Sequence, residues 1–170
     1  MHVMVATDGS LDAKKAAAFA ANLTGGDGRV TVLTVVEVPR QMLDDMRRAS
    51  IEATATGPVD VDPEYRRTQA GEGPVTHWVG DDAIVARYVN RAGAERTADL
   101  VAELEALGVD HTVLAIEGES AARSLLDTAE AHEPDILCLG TRGIGLFEGL
   151  LGSVSTKVVR LATCSVLLVR

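Results

Sequence analysis

The sequence predicts an α/β fold of five parallel strands joined by four crossover helices, with one long insertion after the second strand. Two observations carry this prediction. Short apolar runs alternate with helical patterns at both ends of the chain, as expected for buried parallel strands and the helices that cover them. The run Ile136-Leu137-Cys138-Leu139 passes directly into Gly140-Thr141-Arg142-Gly143, and Gly152-Ser153-Val154-Ser155 follows after eight residues. Small residues therefore stand where a strand ends and where a helix begins.

The elements follow in order. Val3 to Ala6 is the first strand, Asp8-Gly9-Ser10 the turn, and Ser10 the expected N-cap of an alanine-rich helix reaching about Leu23. Gly25-Gly26-Asp27-Gly28 ends that helix. Val30 to Val36, rich in branched residues, predicts a second strand covered on both faces. Ala94 to Leu107 reads as a helix with Ala94, Ala98, Val101, Leu104 and Leu107 at helical spacing, stopping at Gly108. Thr112 to Ile116 is the third strand. Ser120 opens a helix that buries Ala122, Leu125, Leu126 and Ala129, and Pro134 marks the turn into the fourth strand, Ile136 to Leu139. Ser153 to Leu161 forms the last helix, with Val154, Val158 and Leu161 on one face, and Val166 to Val169 is the last strand.

The segment from Val38 to about Asn90 holds four prolines and four glycines, too much punctuation for one element and too much length for a simple loop. It reads as an insertion into a single domain spanning residues 1–170. Within it Met42, Met46 and Ala49 fit one helical face, Val75 to Val79 a short strand, and Ile84, Val85, Tyr88 and Val89 an extension into the next helix. A small satellite core around Trp78, a lid and a dimer contact are all compatible with that composition.

Composition narrows the partners. At 170 residues with 46% hydrophobic content the chain has enough apolar material for one core. A net charge of −9 disfavours nucleic acid or an anionic membrane surface, both of which attract basic proteins. No apolar run approaches a membrane span and the first residues lack the basic start of a signal peptide, so a cytoplasmic location is expected. Cys138 and Cys164 lie in or beside apolar runs and read as small hydrophobes. His2, His77, His111 and His132 show no spacing that would join two of them as metal ligands.

The chemistry points to phosphate. Glycines at the carboxyl end of a strand let backbone amides approach an anion, and Gly152, Ser153 and Ser155 add N–H groups, hydroxyls and the positive end of a helix dipole. Asp8 fits either a turn-capping carboxylate or a ligand contact. Arg142 fits either a phosphate counter-charge or a solvated loop cation. Neither a nucleophile elbow nor a Gly-Lys-Ser/Thr phosphate loop is present in the sequence. A receiver domain would need more carboxylates after the first strand, and a dinucleotide-binding domain would carry its glycines there rather than after the fourth.

Together these segments resemble the universal stress protein family. Val5-Ala6-Thr7-Asp8-Gly9-Ser10 is similar to its first strand and turn, Thr34-Val35-Val36 to the end of its second strand, and Gly118-Glu119-Ser120 to the entry of its third helix. The most specific match runs from Asp135 through Gly140-Thr141-Arg142-Gly143 and Gly152-Ser153-Val154-Ser155 to Val169. The resemblance implies a doubly wound five-stranded parallel sheet with helices on both faces, and ATP, with magnesium as a companion, at the carboxyl edge of the strands. It implies that Ala6, Thr7 and Asp8 face the adenosine part and that Val35 forms an adenine wall. Leu139, Gly140, Arg142 and Gly143 would surround ribose and phosphates, and Gly152, Ser153, Val154 and Ser155 would hold the phosphates. The family motif places nine residues between its second and third glycines; here Ile144 to Leu151 supply eight, with Gly145 and Gly149 to absorb the difference.

The expected function is an ATP-binding regulatory or sensing module of the stress response, with slow or absent hydrolysis because no general base is evident. A homodimer formed through the last strand, at a sheet edge, is the expected assembly. The alternative is a nucleotide-free dimeric interaction protein of the same fold, in which the glycines only shape the backbone. A nucleotide-processing enzyme would have to draw its catalytic residues from the insertion.

Overall fold

In the computed structural model the described residues are 1–38, 41, 45, 48, 81–141 and 151–170. They divide into two compact units, Met1–Glu37 with Val89–Arg170, and Val38–Tyr88. The elements are β1 (His2–Ala6), α1 (Ala13–Thr24), β2 (Arg29–Val36), α2 (Asp81–Ala106), β3 (His111–Glu117), α3 (Ala121–His132), β4 (Ile136–Gly140), α4 (Ser153–Leu161) and β5 (Ser165–Val169). The expectations for Met42, Met46, Ala49, Val75 to Val79 and Trp78 fall outside the described residues. Asp81 to Asn90, expected in the insertion, is the first part of α2, where Ile84 and Val89 are buried.

The five strands form one parallel sheet in the order β3-β2-β1-β4-β5, so the chain starts in the middle, winds to one side, and then crosses to the other. Alternation along the strands divides the apolar residues between two faces. Val3, Val5, Val30, Val32 and Cys138 pack with Ala16, Ala17 and Ala20 of α1 and Leu100 and Leu104 of α2. Met4, Ala6, Leu33, Val35, Leu137 and Leu139 pack with Leu125 and Ala129 of α3 and Val158 of α4. The doubly wound sheet is thereby established. Burial pushes the Cys138 thiol up to about 12, so this cysteine is a core hydrophobe and not a thiolate.

Three local readings are corrected. Asp12, not Ser10, caps α1: its Oδ1 accepts the Lys15 N–H at 3.0 Å, while the Ser10 hydroxyl is already donated to Asp8 at 2.5 Å. That bond from Lys15 holds the Asp12 carboxyl below its usual range. The buried stripe of α2 is Gly93, Thr97, Leu100 and Leu104; Ala94, Ala98 and Leu107 face outward. Small residues let the helix sit close on the sheet: a Cβ at Gly93 would collide with the Ala115 Cβ, and the Thr97 hydroxyl is satisfied by the Gly93 carbonyl at 2.9 Å. Leu161, finally, is 64% exposed because it is the last residue of α4, where the chain turns away at Ala162.

At the amino ends of the strands a polar knot closes the sheet. The His2 N–H donates to Asp135 Oδ2 at 2.6 Å, Arg29 Nη2 donates to His2 Nδ1 at 3.3 Å, and His2 Nε2 therefore carries the proton toward Thr31 Oγ1 at 2.9 Å. Burial first and the Arg29 charge second, opposed by the His132 backbone and the Asp135 carboxylate, lower the His2 pKa from 6.5. The unfolded chain thus takes up this proton first as pH falls below 6.5, and the stability present above that value is lost toward the lower folded pKa. Urea midpoints between pH 7 and pH 5 should fall more steeply for the wild-type protein than for His2→Gln; parallel profiles would refute the linkage.

Candidate functional site

The reversal of strand order falls between β1 and β4, the place where open parallel sheets leave a crevice at their carboxyl ends. A cleft of about 330 Å³ occupies it, within the size range of small-molecule pockets. β1 and its turn contribute Ala6, Thr7 and Asp8, β2 contributes Val35, and β4 contributes Leu139 and Gly140. The start of α4 contributes Gly152, Ser153, Val154 and Ser155. Ten of the residues singled out in the sequence are thus brought together, and Arg142 and Gly143 lie outside the described residues.

Leu11, Ala121 and Leu125 also line the cleft without having been singled out for it. Leu125 was legible only as a core residue of α3, and it serves both as core and as cleft wall. A signal for this existed: the entry of a helix that follows a strand lies at the same edge of the sheet as the glycines.

The walls differ in chemistry. Val35, Leu139, Ala6 and Leu125 are buried apolar residues on the same face of the sheet, an apolar slot for a flat or aliphatic group. Across it, Asp8 is held in a tight turn: Ser10 donates both its N–H, at 2.9 Å, and its hydroxyl to Asp8 Oδ1. Gly9, at φ +93°, makes this turn possible, because a side chain is strained in that conformation. The carboxylate is consequently presented at the cleft rim in one orientation.

At the third wall α4 begins. Gly152 has no side chain to cap the helix, and the N–H groups of Ser153, Val154 and Ser155 find no acceptor among the described residues. With the helix dipole they form an anion-binding terminus. Two of the groups expected to hold phosphate are otherwise engaged: the Gly152 N–H donates to the Thr141 carbonyl at 2.8 Å, and the buried Ser155 hydroxyl donates to the same oxygen at 3.1 Å. Thr141 in turn donates its N–H to Val169 at 3.0 Å. The end of β4 and the start of α4 are therefore tied together directly, on either side of residues 142–150.

Among the described residues no cluster of three or more His, Cys, Asp or Glu could hold a metal ion, and no helix is long and apolar enough to cross a membrane.

With the sheet order, the cleft and the helix terminus in place, the comparisons agree on the class. The profile of the Universal stress protein family matches residues 1–170. The chain is 44% identical over 64 residues to the universal stress protein YxiE of Bacillus subtilis (strain 168), covering 37% of this chain and 43% of that protein. It is 38% identical over 100 residues to a universal stress protein of Thermus aquaticus, covering 57% of this chain and 71% of the relative. The matched region thus spans less than half of the Bacillus relative.

Solved structures show the same fold. Hypothetical protein MJ0577 superimposes with a TM-score of 0.64 at 18% identity, over 99% of this chain and 94% of that one. The universal stress protein UspA from Lactobacillus plantarum gives 0.55 at 22%, over 100% and 97% of the two chains. An Arabidopsis thaliana universal stress protein family protein with AMP bound gives 0.52 at 18%, over 99% and 90%. The chain belongs to the universal stress protein family.

Proposed function

We propose that the cleft binds an adenine nucleotide, ATP in the cell, and that the protein works as a nucleotide-dependent regulatory module of the stress response. One observation carries this reading. Three N–H groups at the start of α4, without an acceptor among the described residues, belong to residues that line the same 330 Å³ cleft as an apolar slot and a fixed carboxylate. An adenine nucleotide needs these three environments: an apolar wall for the base, an acceptor for ribose hydroxyls or the amino group, and donors for phosphate. The AMP bound to the Arabidopsis protein of like fold supports the class of ligand.

Residue roles follow from position. Val35 and Leu139 take the base, Asp8 accepts hydrogen bonds from the adenosine part, and Ser153, Val154 and Ser155 donate their amides to phosphate. Arg142 and Gly143, outside the described residues, are assigned to the phosphate end by the family resemblance alone. Magnesium would be carried by the phosphates and water with few protein ligands. Asp8 Oδ1 accepts from its own turn, and binding with slow or no hydrolysis is the proposed activity.

β5 is an edge strand that leaves Val166, Leu167 and Leu168 only partly buried. Pairing with a second copy along this edge would cover them, and a homodimer is the proposed assembly.

Denaturing the purified protein and identifying released nucleotide, followed by titration of the emptied protein with ATP and magnesium, tests the reading. Adenine nucleotide in the supernatant, or saturable binding below millimolar ATP, is the expected result. A protein that carries none and fails to bind ATP at millimolar concentration would instead be the nucleotide-free interaction module.

A further inference from the structure

The last backbone bond between β1 and β2 is the Thr7 N–H to the Leu33 carbonyl at 2.9 Å. In a parallel ladder the next donor on that side comes two residues later, so the Gly9 N–H would serve the Val35 carbonyl. The turn takes that donor away: the Gly9 N–H goes to Thr7 Oγ1 at 3.0 Å. Val35 is then left with a carbonyl facing the gap where β1 departs from β2, although the residue itself is only 8% exposed. An unmet acceptor at a buried position is costly.

Arg96 of α2 fills this place. Its Nη1 donates to the Val35 carbonyl at 2.7 Å, a charge-assisted bond from a half-buried guanidinium. The same residue also touches the turn. A Cβ built on Gly9 would lie 3.6 Å from Arg96 Cα and 3.7 Å from its carbonyl oxygen, which puts the backbone of α2 directly on Gly9. Arg96 thus spans the two strands at the point where they separate and fixes the end of β2 and the Asp8 turn relative to each other.

We propose that Arg96 is a positioning residue of the nucleotide site, setting the distance between the Val35 wall and the Asp8 turn without touching the ligand. The inference rests on the nucleotide reading above and deepens it. Lysine at this position still offers a donor to the carbonyl, whereas methionine keeps the stem and offers none. A change confined to the Val35 and Asp8 side should weaken ligands that carry a base and spare those that use only the phosphate end.

Arg96→Met and Arg96→Lys, compared with the wild-type protein, supply the test. Hydrogen exchange of the unliganded protein should quicken in Arg96→Met at Gly9, Ser10 and Val36, with α3 and α4 unchanged as a check on folding. AMP affinity should fall about tenfold in Arg96→Met and recover most of that in Arg96→Lys, while competition by inorganic pyrophosphate, which has neither base nor ribose, stays within about twofold. Equal exchange in all three proteins would refute the contact. Faster exchange with unchanged AMP affinity, or an equal loss for both ligands, would refute the positioning role. If the wild-type protein binds no AMP while exchange still depends on Arg96, the nucleotide reading fails and the ligand role of Arg96 falls with it.

Discussion

Replacing Ser153 by proline should lower ATP affinity by about 10- to 100-fold and leave the stability of the protein within about 0.5 kcal/mol of the wild type. Proline at the first helical position removes one N–H that the helix itself never uses, so the substitution subtracts an anion donor and little else. The backbone is already suited to it. Gly152, at φ −61° and ψ 160°, holds the extended conformation that a following proline requires. Ser153→Ala separates the hydroxyl from the amide, and only the proline variant should lose most of the binding. Isothermal titration with ATP and magnesium, beside urea unfolding, reads both quantities. Full affinity in a folded Ser153→Pro protein would remove α4 from the site.

Gly93→Val should destabilise the protein by about 1–3 kcal/mol, seen as a lower urea midpoint at unchanged slope. The cause is the close approach of α2 to the sheet, where the space beside Gly93 is taken by Ala115 Cβ and, at 3.6 Å, by Thr34 Cγ2. Ala94→Val is the control. Ala94 faces outward, so the same β-branched side chain in the same helix should cost only about 0.5 kcal/mol. Equal midpoints for the two variants would mean that α2 packs through another face.

α2 also shows where sequence patterning ran out. The alanines at 94 and 98 are apolar and correctly spaced, and they point outward, whereas glycine and threonine at 93 and 97 are buried. Hydrophobicity selects a face when side chains are large. Where a helix must come close to a sheet, absence of volume decides instead, and a threonine whose hydroxyl returns to its own helix is an acceptable core residue. Ser10 taught the same lesson on a smaller scale: two candidate caps stood two residues apart, and the one not consumed by the Asp8 turn took the role.

The strands, by contrast, were legible to within a residue or so. Val3, Val30 and Ile136 open runs too apolar to lie anywhere but between two layers, and the glycines after the fourth strand marked the carboxyl edge. The cleft was legible in its strand and helix-terminus residues and illegible at Leu11, Ala121 and Leu125, because their contribution depends on where α3 and the first turn are set relative to β1. Nor did the sequence reveal that the Gly152 amide and the Ser155 hydroxyl are spent on Thr141.

The sequence by itself determined the α/β class, the five strands, the residues of the carboxyl-edge cleft that lie on strands and at the helix terminus, and the family, since these follow from local periodicity and from residues adjacent along the chain. Tertiary structure alone decided which polar groups remain available to a ligand, which face of α2 is buried, and that Arg96 meets the Val35 carbonyl from 61 positions away. The physical reason is that a donor or acceptor is defined by what is left after its neighbours in space have been satisfied, and the strand order β3-β2-β1-β4-β5 chooses those neighbours.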